Sequence, residues 1–273
     1  MKTLKLTTIC LLVTIYSFAK VSLSEKEALI ALYNSTNGPK WNTPWDLKAS
    51  VGEWYGVKLE DGKVVEINLQ FNNLNGTLPE AIGNLAHLRV FNLGFNKLKG
   101  ELPSSLGNLK ELVNLELFMN GFEGNIPSGL GRLKKLETLK LYSNKLTGEI
   151  PKSLMGLTNL KELLLGSNFL TGQIPTEINA LTKLKKFSVM DNQMDGEIPT
   201  EITQLKDLEE LLLSANHFSG DVPKGLLKLE KLNTLMVSDN DLEYEYMSIS
   251  DPKSPIMKFE IETSTAVMDI EQE

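Results

Sequence analysis

Asn72, Asn96, Asn120, Asn144, Asn168, Asn192, Asn216 and Asn240 lie 24 residues apart, without an insertion or deletion between them. A fixed period of about 20–50 residues marks a stacked repeat architecture, in which each unit contacts only its neighbours. Leucine or a close substitute recurs around each asparagine: Leu93, Leu117, Leu141 and Leu165 stand three residues before it, and Leu98, Phe122, Leu146 and Leu170 two after. Glycine follows at 76, 100, 124, 148, 172, 196 and 220, and proline at 79, 103, 127, 151, 175, 199 and 223.

Each residue type has a physical task. L-x-L places alternate side chains on one face of a short strand, so both leucines point inward and the residue between them points out. The asparagine sits where the chain leaves the strand. Its amide there donates and accepts hydrogen bonds with backbone groups that stacking would otherwise bury unpaired. Glycine admits backbone angles closed to other residues, and proline fixes the next stretch while giving up a donor. At about 4.8 Å per strand, eight units build a curved rod about 40 Å long. The asparagine ladder is therefore expected to be scaffold: replacing Asn144 by leucine should destabilise the array without selectively abolishing binding.

The pattern resembles the leucine-rich repeat family. The G-x-[IL]-P segment, as in Gly148-Glu149-Ile150-Pro151, is similar to its plant-type subclass, which includes polygalacturonase-inhibiting proteins and receptor-kinase ectodomains. The resemblance covers about residues 67–242. It implies an α/β repeat solenoid: a right-handed superhelix with a parallel β-sheet on the concave face and short irregular or 3-10 segments on the convex face. Plant members carry paired cysteines in the N-terminal cap around a W-x-G-V core. The matching segment here, Glu53-Trp54-Tyr55-Gly56-Val57-Lys58, has none, which favours a bacterial or protist secreted relative.

Four regions are expected. Residues 1–19 read as a secretory signal, with Lys2 and Lys5, an apolar stretch from Ile9 to Phe18 and a small-residue site at Ser17-Phe18-Ala19. Ten apolar residues are too few to span a bilayer, where about 20 are needed. Removing this leader takes away Cys10, the only cysteine, and moves the formal charge from −7 to −9. An acidic chain without a basic run has no electrostatic footprint for nucleic acid or anionic membranes. The expected product is secreted or displayed at the cell surface, and monomeric.

Residues 20–66 form the cap. Ser24-Glu25-Lys26-Glu27 reads as a capping box starting a helix that Asn37-Gly38-Pro39 ends. Trp41, Trp45 and Trp54 read as a hydrophobic plug over the open end of the first repeat rather than a ligand site. Val57–Leu59 and Val64–Ile67 flank Asp61-Gly62 as a hairpin. Residues 67–244 hold the eight repeats. Residues 245–273 form an acidic cap or tail, in which Lys258-Phe259-Glu260-Ile261-Glu262 alternates like a strand able to pair with the last exposed edge.

No catalytic constellation, metal signature or cofactor motif is present in the sequence, which reads as a non-enzyme without cofactors. His87 and His217 are expected to be separate, solvated or packing residues. Stacking instead places Phe71, Phe95, Phe118, Met119 and Tyr142 together on the concave face, with Glu116 and Lys140 beside them. A contiguous exposed patch of aromatic and methionine residues is typical of interfaces. The leading expectation is a recognition module for a protein partner, such as a secreted enzyme or surface receptor, with hydrolase inhibition as one form. Adhesion or surface display, and glycan binding, are the alternatives. Phe118→Asp with Tyr142→Asp is expected to remove binding while leaving unfolding nearly unchanged.

Overall fold

The computed structural model describes residues 20–243 continuously, and beyond them Glu245–Tyr246, Ile249–Ser250 and Ile261–Glu262. The expected leader, residues 1–19, and most of the expected tail lie outside these described residues.

Helix α1 spans Leu23–Ser35. Its capping box sits two residues earlier than the sequence suggested. Ser22 Oγ accepts the Glu25 N–H at 3.2 Å and donates to Glu25 Oε2 at 2.8 Å. The reason is the second carboxylate oxygen: Glu25 is buried, and its Oε1 accepts the Val64 N–H at 3.2 Å. Glu25 therefore fixes α1 against the start of the array. After it, β1 (Val57–Glu60) and β2 (Lys63–Asn68) form the antiparallel hairpin, with Asp61 and Gly62 both at positive φ, 49° and 71°. Two positive φ angles suit the primed hairpin turn that matches strand twist.

The three tryptophans are buried and close-packed: Trp41 and Trp45 edge to face at 4.9 Å, Trp45 and Trp54 stacked at 4.8 Å. Each indole N–H donates to a backbone carbonyl, of Thr36, Tyr55 and Asp46 respectively. That is a plug with its polar atoms satisfied.

β2 is itself the first strand of the concave sheet. It pairs in parallel with Val90–Asn92, and the ladder continues through Asn114–Glu116, Thr138–Lys140, Glu162–Leu164, Lys186–Ser188, Glu210–Leu212 and Thr234–Met236. Partners are 24 residues apart throughout, as in Leu115↔Leu139 and Leu163↔Phe187. The inward leucines are buried along the whole array. Ile249–Ser250 covers the far edge by pairing antiparallel with Thr234–Met236. That edge being taken, Ile261–Glu262 pairs with Glu245–Tyr246 instead, which corrects the expected pairing; residues 258–260 lie outside the described residues.

The asparagines stitch the repeats. Asn144 Oδ1 accepts the Phe122 N–H at 3.1 Å, while its Nδ2 donates to Leu141 O at 2.9 Å and to Leu117 O, one repeat back, at 3.1 Å. Asn72 has no repeat before it, and its Oδ1 accepts the Thr43 N–H of the cap at 2.8 Å. On the convex side each proline from Pro79 to Pro223 precedes a five-residue 3-10 helix, the first Glu80–Asn84 and the last Lys224–Lys228.

One layer was not expected from the sequence. A second parallel sheet of eight short strands, from Asn75–Gly76 through Lys97–Glu101 to Asp241–Leu242, runs along the flank of the array. Its strands carry no run of alternating apolar residues and are joined through the backbone. A turn at positive φ, such as Gly148 at 73°, lets each chain pass close to the next; a β-carbon there would fall 2.5 Å from Asn125 Oδ1.

Candidate functional site

The concave sheet presents three outward columns. The third, immediately before each ladder asparagine, holds Phe71, Phe95, Met119, Ser143, Ser167, Asp191, Ala215 and Asp239, all in the left-handed region at φ 51–57°. Inter-repeat bonds hold this turn: Phe71 N–H donates to Gly94 O at 3.1 Å, and Met119 N–H to Tyr142 O at 2.9 Å. A left-handed residue bearing a β-carbon costs about 1–2 kcal/mol. Serine, aspartate and alanine keep the side chain small there. The three N-terminal repeats instead carry phenylalanine, phenylalanine and methionine.

These three are exposed: Phe71 by 60%, Phe95 by 36% and Met119 by 41%. Phe71 and Phe95 stack with centroids 4.0 Å apart at 15°. Phe95 meets Phe118 edge to face at 5.3 Å, and Phe118 stacks on Tyr142 at 4.7 Å. The result is one continuous ladder of four rings across the first four repeats. On the cap Tyr55 is also half exposed, and the carbonyl of its neighbour Gly56 accepts the Asn68 N–H of the first strand at 2.7 Å. Its place next to the hairpin, rather than in the 24-residue register, kept it out of the column reading.

Three expected site residues take other places. Phe118 is only 5% exposed, because its ring lies over Gly94, which has no side chain, and between Phe95 and Tyr142. It supports the patch from below. Glu116 and Lys140 are paired rather than free: Lys140 Nζ lies 3.7 Å from Glu116 Oε1 and 3.1 Å from Glu162 Oε2. Burial works against the Lys140 charge, but the hydrogen bond to Glu162 and the charges of both carboxylates outweigh it, so its pKa is raised. Burial also raises the Tyr142 pKa; Lys140 offsets this in part and Glu116 adds to it. Lys186 continues the row by pairing with Glu210 at 2.6 Å.

The C-terminal half of the face differs. Asp191 and Asp239 are exposed in the same column as the rings, a residue pair that the column reading contained but did not single out. The histidines stay apart. His217 is exposed beside Asp241 at 3.3 Å, and His87 is partly exposed with its Nδ1 turned inward, 3.8 Å from Glu25 Oε1. Among the described residues, no group of three or more His, Cys, Asp and Glu side chains is placed to hold a metal ion, and no helix is long and apolar enough to cross a membrane.

A family model described as "Leucine-rich repeat region" matches residues 67–168, and one described as "Leucine Rich Repeat" matches residues 159–181. Among solved structures, the chain is similar to PEPR1 in the PEPR1-AtPEP1 structure, at 34% identity and a TM-score of 0.74, covering 80% of this chain and 32% of that one. It is similar to the ectodomain of the Arabidopsis receptor kinase HAESA in complex with an IDA peptide hormone ligand: 27% identity, TM-score 0.61, 80% of this chain and 41% of that one. A chain of the BIR3–SERK2 complex from Arabidopsis thaliana matches at 30% identity and a TM-score of 0.53, covering 61% of this chain and 93% of that one. The chain thus spans about a third of the length of PEPR1 that it matches.

Proposed function

The chain belongs to the leucine-rich repeat family, and on that premise we propose that it is a secreted or surface-exposed module that recognises a polypeptide partner through the N-terminal half of its concave face. The observation that carries this reading is the placement of Phe71, Phe95 and Met119. Each is bulky, exposed and held at a backbone angle that disfavours bulk. Strain and exposed apolar area both oppose folding, and together they mark a surface kept for contact. The likeness to HAESA, whose ectodomain structure contains a bound peptide hormone, supports a polypeptide as the kind of partner.

Ring geometry favours polypeptide over glycan. Sugar rings pack on open aromatic faces, yet Phe71 and Phe95 each close one face of the other at 4.0 Å, and Phe95 also meets Phe118. Partly covered rings and a flexible thioether suit apolar side chains. Inhibition of a secreted hydrolase is one form this recognition could take; it requires that hydrolase activity fall when the module binds.

A photo-crosslinking phenylalanine analogue at position 95 tests the reading, with the same group at Leu227, exposed on the convex side, as control. Incubated with extracellular protein from the source organism, the Phe95 probe should capture a discrete partner that the Leu227 probe does not. Equal capture from both positions would place the contact elsewhere.

A further inference from the structure

The concave face is electrically lopsided, and this says what its partner carries. Its outward columns, together with the paired column that runs from Glu66 to Thr234, hold six carboxylates, Glu66, Glu116, Glu162, Asp191, Glu210 and Asp239, against two lysines, Lys140 and Lys186. Both lysines are already engaged by Glu116, Glu162 and Glu210. Asp191 and Asp239 are exposed in the same left-handed column as Phe71, Phe95 and Met119, and among the described residues neither is ion-paired with a lysine or arginine. Between rings and acids the column drops to Ser143 and Ser167, a low stretch on which a chain can lie close to the sheet.

We infer that the occupant is an extended polypeptide segment with an apolar side chain over Phe71, Phe95 and Met119 and a lysine or arginine beside Asp191. The spacing follows from the strands. Asp191 is three repeats from Met119 and four from Phe95, about 14–19 Å at 4.8 Å per strand, which an extended chain crosses in about four to six residues. Lysine or arginine there would meet a carboxylate with no competing cation among the described residues, whereas an acidic side chain at the same place would be repelled. The inference rests on the polypeptide reading of the ring patch and adds the sign and spacing of the partner's charge.

Synthetic peptides test it. Each carries a Phe-Leu pair and, about five residues away in either direction, a Lys-Arg, Gln-Gln or Glu-Glu pair. They are titrated onto the full chain, onto Asp191→Asn/Asp239→Asn, and onto Phe95→Ser, at low and high salt. The cationic peptide should bind about tenfold more tightly than the acidic one at low salt. That preference should vanish in the double aspartate variant and shrink in high salt, while Phe95→Ser weakens all three peptides alike. Equal affinity for cationic and acidic peptides overturns the charge inference and leaves the ring reading standing. If no peptide of any charge binds the wild-type chain, both are overturned.

Discussion

The ring of Phe118 lies directly over Gly94, one repeat away: a β-carbon on Gly94 would fall 2.6 Å from two of its carbons. The missing side chain in one unit thus lets a large one in the next fold down. There Phe118 joins the exposed Phe71–Phe95 stack to the half-buried Tyr142.

Gly94→Ala should therefore destabilise the chain by about 1–3 kcal/mol through overpacking. Gly94 is not at positive φ, so the cost comes from crowding rather than backbone strain. In a Phe118→Ala background the same change should be nearly neutral. Urea unfolding of the four proteins gives the coupling directly; additive costs would mean that the two residues do not press on each other.

Phe118 itself belongs to the folded core. Phe118→Ala should cost about 3 kcal/mol or more, and Phe118→Asp more still. Aspartates at 118 and 142 are consequently a poor test of binding, contrary to what the columns alone imply, because loss of binding would accompany loss of fold.

At the surface the sign changes. Phe71→Asn replaces a bulky left-handed residue by one that tolerates that region. Strain relief of about 1 kcal/mol should offset the loss of the ring stack, about 0.5–1.5 kcal/mol. The unfolding midpoint should stay within a few degrees of wild type; a large drop would show that the ring is structural.

The asparagine ladder predicts the opposite behaviour. Asn144→Leu removes the acceptor for the buried Phe122 N–H and the donor to Leu117 O and Leu141 O. Each buried group left unpaired costs about 1–3 kcal/mol. Unfolding in urea should show a loss of at least about 2 kcal/mol, against little change for the exposed neighbour Lys145→Ala.

Much of this was written in the sequence, and the rest fails to appear there for identifiable reasons. The ladder, the leucine core, the hairpin at Asp61-Gly62 and the tryptophan plug depend on residue type at fixed spacing, so linear reading finds them. The flanking sheet does not: residues such as Lys97–Glu101 pair through their backbone, without apolar alternation. Stacking at 24-residue intervals brought Phe71, Phe95, Met119 and Tyr142 to neighbouring repeats, but the direction of Phe118 depends on what Gly94 lacks. The pairing of Lys140 with Glu162 is diagonal, 22 residues apart, and escapes a reading by columns. Ser22 displaced Ser24 as the cap because Glu25 is wanted by Val64, a tertiary contact.

Alkaline pH should weaken the ring-bearing half. Lys140 and Tyr142 both have folded pKa values raised above their ordinary ones. For each, the protonated form is favoured by folding, so the contribution is complete below the unfolded pKa, near about 10, and is lost as pH rises through the folded value. The unfolding temperature should fall above about pH 10, and Tyr142→Phe should flatten part of that fall. An identical pH profile for wild type and variant would contradict the assignment.

The central claim is that three strained, exposed side chains hold the partner and do not hold the fold. It is tested by titrating the partner captured at position 95 onto wild type and onto Phe71→Ser/Phe95→Ser/Met119→Ser, with thermal unfolding of both proteins alongside. The account predicts at least a hundredfold weaker binding, about 2.7 kcal/mol, at an unfolding temperature equal to or above that of wild type. Binding within twofold of wild type by the folded triple variant would contradict it.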